Sequence, residues 1–276
     1  MKWNDMGRSS NIEDRRGSGV GRMGMGIGGT AVLLVLSLLF GRNLFEDVPA
    51  TTTTSTGGAL APADSAREEP EVRFVSFVLD DAQSTWERLF RARGQTYEHA
   101  KLVLFRDAIQ SACGFAEAAT GPFYCPGDAK VYIDLGFYDE LRQRFGAPGD
   151  FAEAYVLAHE LGHHVQRLMG TESRVREQQQ GRPDLANQLS VRLELQADCY
   201  AGVWGHETAQ RDILDPGDVD EGLGAAAAVG DDRIQRMQGQ GVHPEGFTHG
   251  TSEQRATWFR RGFDSGRPED CDTFRS

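Results

Sequence analysis

The tightest constraint on this chain is the run F-A-E-A-Y-V-L-A-H-E-L-G-H-H-V-Q-R-L, with His159-Glu160-Leu161-Gly162-His163 at its centre. Its apolar residues recur at helical spacing and predict one amphipathic helix from Phe151 to Leu168. Residues four apart on a helix lie one above the other, so the imidazoles of His159 and His163 can close on a single metal ion. Glu160 follows the first His directly, which sets its carboxylate beside such an ion rather than on it. Two nitrogen ligands, an open water position and a base for that water are what a zinc hydrolase needs, once a third protein ligand is found.

A metzincin would supply that ligand from the same run, through Gly and then a third His. Gln166 and Met169 stand at those positions, which removes the class. Downstream, S-V-R-L-E-L-Q-A-D-C-Y-A-G-V-W-G carries Leu193, Ala197, Tyr200, Ala201 and Trp204 at helical spacing. Glu194 and Asp198 are four apart on it and share a face. A helix antiparallel to the first offers Glu194 as third ligand, with Asp198 accepting the N–H of a ligand imidazole and fixing its tautomer. Asp184, after Pro183 in a loop or helix start, is the other candidate, but only the Glu194 segment supplies ligand and orienting carboxylate together.

H-E-L-G-H followed by E-L-Q-A-D resembles the gluzincin pattern, and T-H-G-T-S-E-Q-R, with His249 and Arg255, is similar to the His-to-Arg segment of the membrane peptidases in that group. G-P-F-Y-C-P-G-D, R-F-G-A-P-G-D-F, the H-E-L-G-H-H-V-Q run, S-V-R-L-E-L-Q-A-D-C-Y-A-G-V-W and F-T-H-G-T-S-E-Q-R occur in the order seen in the bacterial "putative neutral zinc metallopeptidase" family, the YpfJ-like proteins. The resemblance runs from about Val72 to the C-terminus. It implies an α+β, mostly helical zincin-like domain with a small sheet, bound Zn2+, and a peptide or protein substrate. It also implies a hydrogen bond from His249 to the oxyanion of the reaction, and an edge strand that pairs with extended substrate. Arg255 is expected to brace the loop or Asp198. The alternative at His249 is packing in an N-terminal cap region with Ser252 and Glu253.

The net charge is −12, split as +2 over residues 1–46 and −14 over the rest. An acidic domain argues against nucleic acid as a partner, since phosphate binding needs clustered cations. Residues 23–40 carry no charge and Ala31–Phe40 is almost wholly apolar, near the minimum for a membrane-spanning helix. No small-x-small cleavage site follows, so residues 23–41 are expected to stay as an anchor. Lys2, Arg8, Arg15, Arg16 and Arg22 precede the segment and Arg42 follows it. Residues 1–22 then form a cytoplasmic basic tail, and the catalytic domain lies outside a single membrane span. Residues 42–71, rich in Thr, Ala, Pro and Gly, are expected to be a flexible tether to a domain over 72–276. Oligomeric state is left open.

Within that domain the alternation after Val72 predicts a short strand turning helical near Asp80 or Asp81. Strands are expected at 101–105 and 129–134, and helices at 136–145, 151–168, 184–208, 216–228 and 252–263. Four cysteines in an exported domain favour disulfides. Cys113 and Cys125 flank a short turn and make one pair, which leaves Cys199 with Cys271; the alternative is a buried free thiol at Cys199. His164 points about a hundred degrees from His163, towards a supporting or surface position. His99, His206 and His243 have no motif around them. A membrane-tethered, non-catalytic zinc scaffold is the rival function. Glu160 weighs against it, because a purely structural site has no use for that carboxylate.

Overall fold

The computed structural model describes residues 1–17 and 62–275. The longest element, α1 (Pro62–Ala92), runs straight through the stretch expected to begin as a strand. Val72, Val75, Leu79, Ala82, Trp86 and Phe90 are all buried. They form a stripe at three- and four-residue steps, so the helical period continues unbroken and overrides the short alternation. The tether expected over 42–71 therefore ends by Pro62; its earlier part lies outside the described residues.

A four-stranded sheet has the order β1-β2-β6-β5, with β1 (Ile12–Asp14), β2 (Lys101–Phe105), β5 (Phe123–Cys125) and β6 (Lys130–Asp134). β1, β2 and β6 are parallel and β5 is antiparallel on the edge. Alternate residues point to opposite faces of a strand. Leu102, Leu104, Val131 and Ile133 accordingly enter the main core beneath α1 and the zinc-motif helix. Val103, Phe105 and Tyr132 join a smaller cluster with Ile109 and Cys125. Over that cluster lies the hairpin of β3 (Ala108–Ser111) and β4 (Gly114–Glu117), tied to β5 by the Cys113–Cys125 disulfide.

β1 corrects the expected membrane topology. Ile12 and Asp14 pair with Leu102 and Leu104, Trp3 packs edge-on against Phe74 at 5.5 Å, and Arg16 is buried against Asp14 and Glu68. Lys2, Arg8, Arg15 and Arg16 thus answer carboxylates of the same body. Residues 1–16 and the domain thus lie on one side of any membrane, which does not fit a cytoplasmic tail joined to an exported domain by a single span. Residues 23–41 lie outside the described residues, and among the described ones no helix is long and apolar enough to cross a membrane.

The remaining helices are α2 (Gly136–Gln143), α3 (Asp150–Leu168), α4 (Thr171–Gly181), α5 (Ala186–Gln210), α6 (Asp218–Ala228), α7 (Asp231–Met237) and α8 (Ser252–Ser265). Among the helices expected, those at 136–145, 151–168, 184–208, 216–228 and 252–263 all form within about two residues of their bounds; α4 and α7 are additions. α5 and α8 pack backbone to backbone. A Cβ on Gly262 would overlap the Cys199 carbonyl, and one on Gly202 the Phe259 carbonyl, so only glycine allows this approach. Phe151 stacks on Trp204 at 5.6 Å, and Tyr155 meets Phe259 edge-on at 5.5 Å, closing α3, α5 and α8 into one core. The Cys199–Cys271 disulfide pins the C-terminal segment to α5.

Candidate metal centre

α3 and α5 carry the motif residues, and Gly162 sets how close the two helices come. A Cβ there would stand 2.9 Å from the Ala197 carbonyl oxygen and 3.0 Å from its Cα, closer than real side chains sit. With hydrogen in that place, His159, His163 and Glu194 converge, their ligand atoms all within 4.8 Å of one another. Glu194 Oε2 is 3.1 Å from His159 Nε2, and Oε1 is 3.4 Å from His163 Nε2. Asp184 lies elsewhere, exposed and paired with Arg182.

Each imidazole is held by its far nitrogen. His159 Nδ1 donates to Asp198 Oδ1 at 2.8 Å, and His163 Nδ1 to Gln166 Oε1 at 2.9 Å. Both rings therefore present Nε2 to the common point. Asp198 is fully buried and also accepts from Arg255 Nε and Nη2, each at 2.9 Å, and from the Tyr155 hydroxyl. Burial alone would raise the Asp198 pKa, but Arg255 and His159 outweigh it and hold the carboxylate ionised. Burial likewise works to lower the His159 pKa, and Asp198 and Glu194 reverse it, to about 10. Two imidazoles and a carboxylate, with the far nitrogens engaged, fit a zinc site that leaves a coordination position open.

Glu160 and His249 line the same cleft as the three ligand candidates, a cavity of about 620 Å³ walled by β5, α2 and α7. Burial raises the Glu160 pKa despite the neighbouring imidazoles. His249 is half exposed; its Nδ1 meets Asp231 Oδ1 at 3.1 Å, and that hydrogen bond holds its pKa up. The loop owes its shape to Asp231 Oδ2, which accepts the backbone N–H groups of Thr248, His249 and Gly250 at 2.7 to 3.0 Å. The helix that follows is capped by Thr251 with Gln254, rather than by Ser252 with Glu253. Arg255 leaves the loop to others and braces Asp198. His164 is fully buried, with Tyr124 of β5 at 2.9 Å and the Glu98 carbonyl at 2.6 Å, so it ties α3 to the edge strand.

Tyr155, Gln166 and Asp231 escaped the sequence reading. Tyr155 and Gln166 sit four before His159 and three after His163, on the face the ligands share, and that spacing is the signal that marks them. Asp231 has no comparable signal, because it meets its loop only through the fold.

No solved structure matches the chain. The "Uncharacterized protein YpfJ" of Escherichia coli (strain K12) is 45% identical to it over 290 residues, 99% of each chain. The "Uncharacterized protein Mb2605" of Mycobacterium bovis is 43% identical over 206 residues, 71% of this chain and 68% of that one. The family model described as "Putative neutral zinc metallopeptidase" matches residues 1–274, taking in β1 as well as the cleft. With the match spanning nearly the whole chain, the protein belongs to that family.

Proposed function

We propose that this chain is a zinc-dependent peptidase whose metal is held by His159, His163 and Glu194. The observation that carries the reading is the convergence of three ligand atoms in an open cleft that also contains Glu160. Bound there, zinc supplies a water of lowered pKa and polarises the scissile carbonyl. Glu160 takes the proton of the attacking water and returns it to the leaving amine. Asp198, braced by Arg255 and Tyr155, keeps the proton of His159 on Nδ1. His249, its ring set by Asp231, donates to the oxyanion as charge develops on it. The substrate is a peptide or protein lying along the cleft. The two disulfides support an oxidising compartment for the domain.

The test is metal content followed by cleavage. The purified full chain should hold one zinc, Glu194→Ala should lose it, and Asp184→Ala should keep it. The full chain is the right material, because β1 and the first turns of α1 belong to the fold. Full zinc occupancy in Glu194→Ala would overturn the ligand set.

A further inference from the structure

We infer that Gln166, Gln196 and the C-terminal segment around Cys271 form a hydrogen-bond relay that fixes the tautomer of His163 and tunes metal affinity from outside the site. The inference rests on the zinc reading above and adds positioning residues to it. His159 is oriented by a carboxylate, which can only accept. His163 is oriented by a neutral amide, which could present either end, so something further must choose.

Two backbone carbonyls make that choice. Gln166 Nε2 lies 2.7 Å from the Leu193 carbonyl, which can only accept, so the amide nitrogen faces α5 and Oε1 faces His163. His163 Nδ1 must then carry the proton, leaving the Nε2 lone pair towards Glu194. The second hydrogen of Gln166 Nε2 reaches Gln196 Oε1 at 3.2 Å. Gln196 Nε2 in turn donates to the Cys271 carbonyl at 2.9 Å. Every donor meets an acceptor in one arrangement, and flipping either amide puts its oxygen against a carbonyl oxygen. Gln166 and Gln196 are both buried, so water does not relieve such a mismatch.

The far end of the relay is fastened on both sides of Gln196. Thr273 Oγ1 donates to the Arg192 carbonyl at 2.6 Å, one turn before Gln196, and the Cys199–Cys271 disulfide closes just after it. The C-terminal segment thereby holds the Cys271 carbonyl where Gln196 needs it. The disulfide acts on the metal centre through this chain of amides and touches none of the ligands.

The experiment measures zinc affinity of the full chain by competition with a chromogenic chelator, with cobalt absorption reporting ligand geometry. Gln166→Met should weaken zinc binding by about 10- to 100-fold, the usual effect of removing a partner of a ligating His. Gln196→Met should weaken it in the same direction by less. Because the two residues act in series, the double variant should bind no more weakly than Gln166→Met alone. Cys199→Ala with Cys271→Ala, which alters neither amide, should also weaken binding, and thermal unfolding of the metal-free proteins checks that each variant folds. Wild-type affinity in a folded Gln196→Met protein, or losses that simply add, would overturn the relay while leaving the metal site intact. Zinc binding that is absent in wild type, or unchanged by Glu194→Ala, would overturn the metal reading and the relay together.

Discussion

Asp198→Asn probes the one charge on which the candidate site's geometry turns. Asp198 is fully buried and receives His159 Nδ1, two nitrogens of Arg255 and the Tyr155 hydroxyl. An amide of the same size keeps one acceptor oxygen but turns an NH2 group towards one of these donors. It also strips Arg255, itself buried, of the carboxylate it is bonded to, leaving it the Val229 carbonyl at 3.2 Å and the Tyr155 oxygen at 3.3 Å. Breaking a buried ion pair on one side costs about 3–5 kcal/mol. That is a large part of the roughly 5–15 kcal/mol that holds a typical domain together. Urea unfolding of the metal-free protein, followed by circular dichroism, reads the loss directly. The exposed Arg182–Asp184 pair is the internal control, and Asp184→Asn should leave the unfolding midpoint where it is in wild type. An Asp198→Asn protein within about 1 kcal/mol of wild type, at an unchanged denaturant slope, would refute an ionised Asp198 paired with Arg255.

Three further outcomes follow from the same structure. Gly262→Ala should destabilise by about 1–3 kcal/mol, as overpacking does, since α8 must move off the Cys199 carbonyl; an unchanged unfolding midpoint would contradict that contact. Burial first, then the nearby Glu71, raise the Glu153 pKa from 4.5 to about 7, so its ionisation costs stability as pH climbs through that window. Glu153→Gln should therefore gain on wild type by about 1–3 kcal/mol between pH 5 and pH 8, and equal differences at the two pH values would refute the shift. His249→Ala should keep its zinc and slow turnover by roughly a hundredfold, and undiminished turnover would remove it as an oxyanion donor.

The site was more legible in the sequence than the rest of the fold. A four-residue step on a helix brings side chains together whatever surrounds it, so His159 with His163, and Glu194 with Asp198, could be read directly from spacing. The cysteine pairs followed from an even count and one short turn, and both form. Val72 to Leu79 is ambiguous in the sequence because a few alternating residues fit either period, and only the stripe continuing to Phe90 decides for helix. β1 was invisible for a different reason. Three residues, Ile12 to Asp14, hold no local pattern, and their pairing with β2 is separated from it by most of a hundred residues of chain. Asp231 belongs to the same class, since its three backbone partners lie across a loop.

Glu160→Gln, compared with wild type on a broad peptide library, separates an enzyme from a metal-braced scaffold most directly. The substitution keeps the size of the side chain and removes the base, and Glu160 is not among the ligand candidates. Zinc content should stay as in wild type, while cleavage falls by at least about a hundredfold. Equal cleavage by the two proteins, or no cleavage of any library member by zinc-loaded wild type, would contradict the peptidase reading.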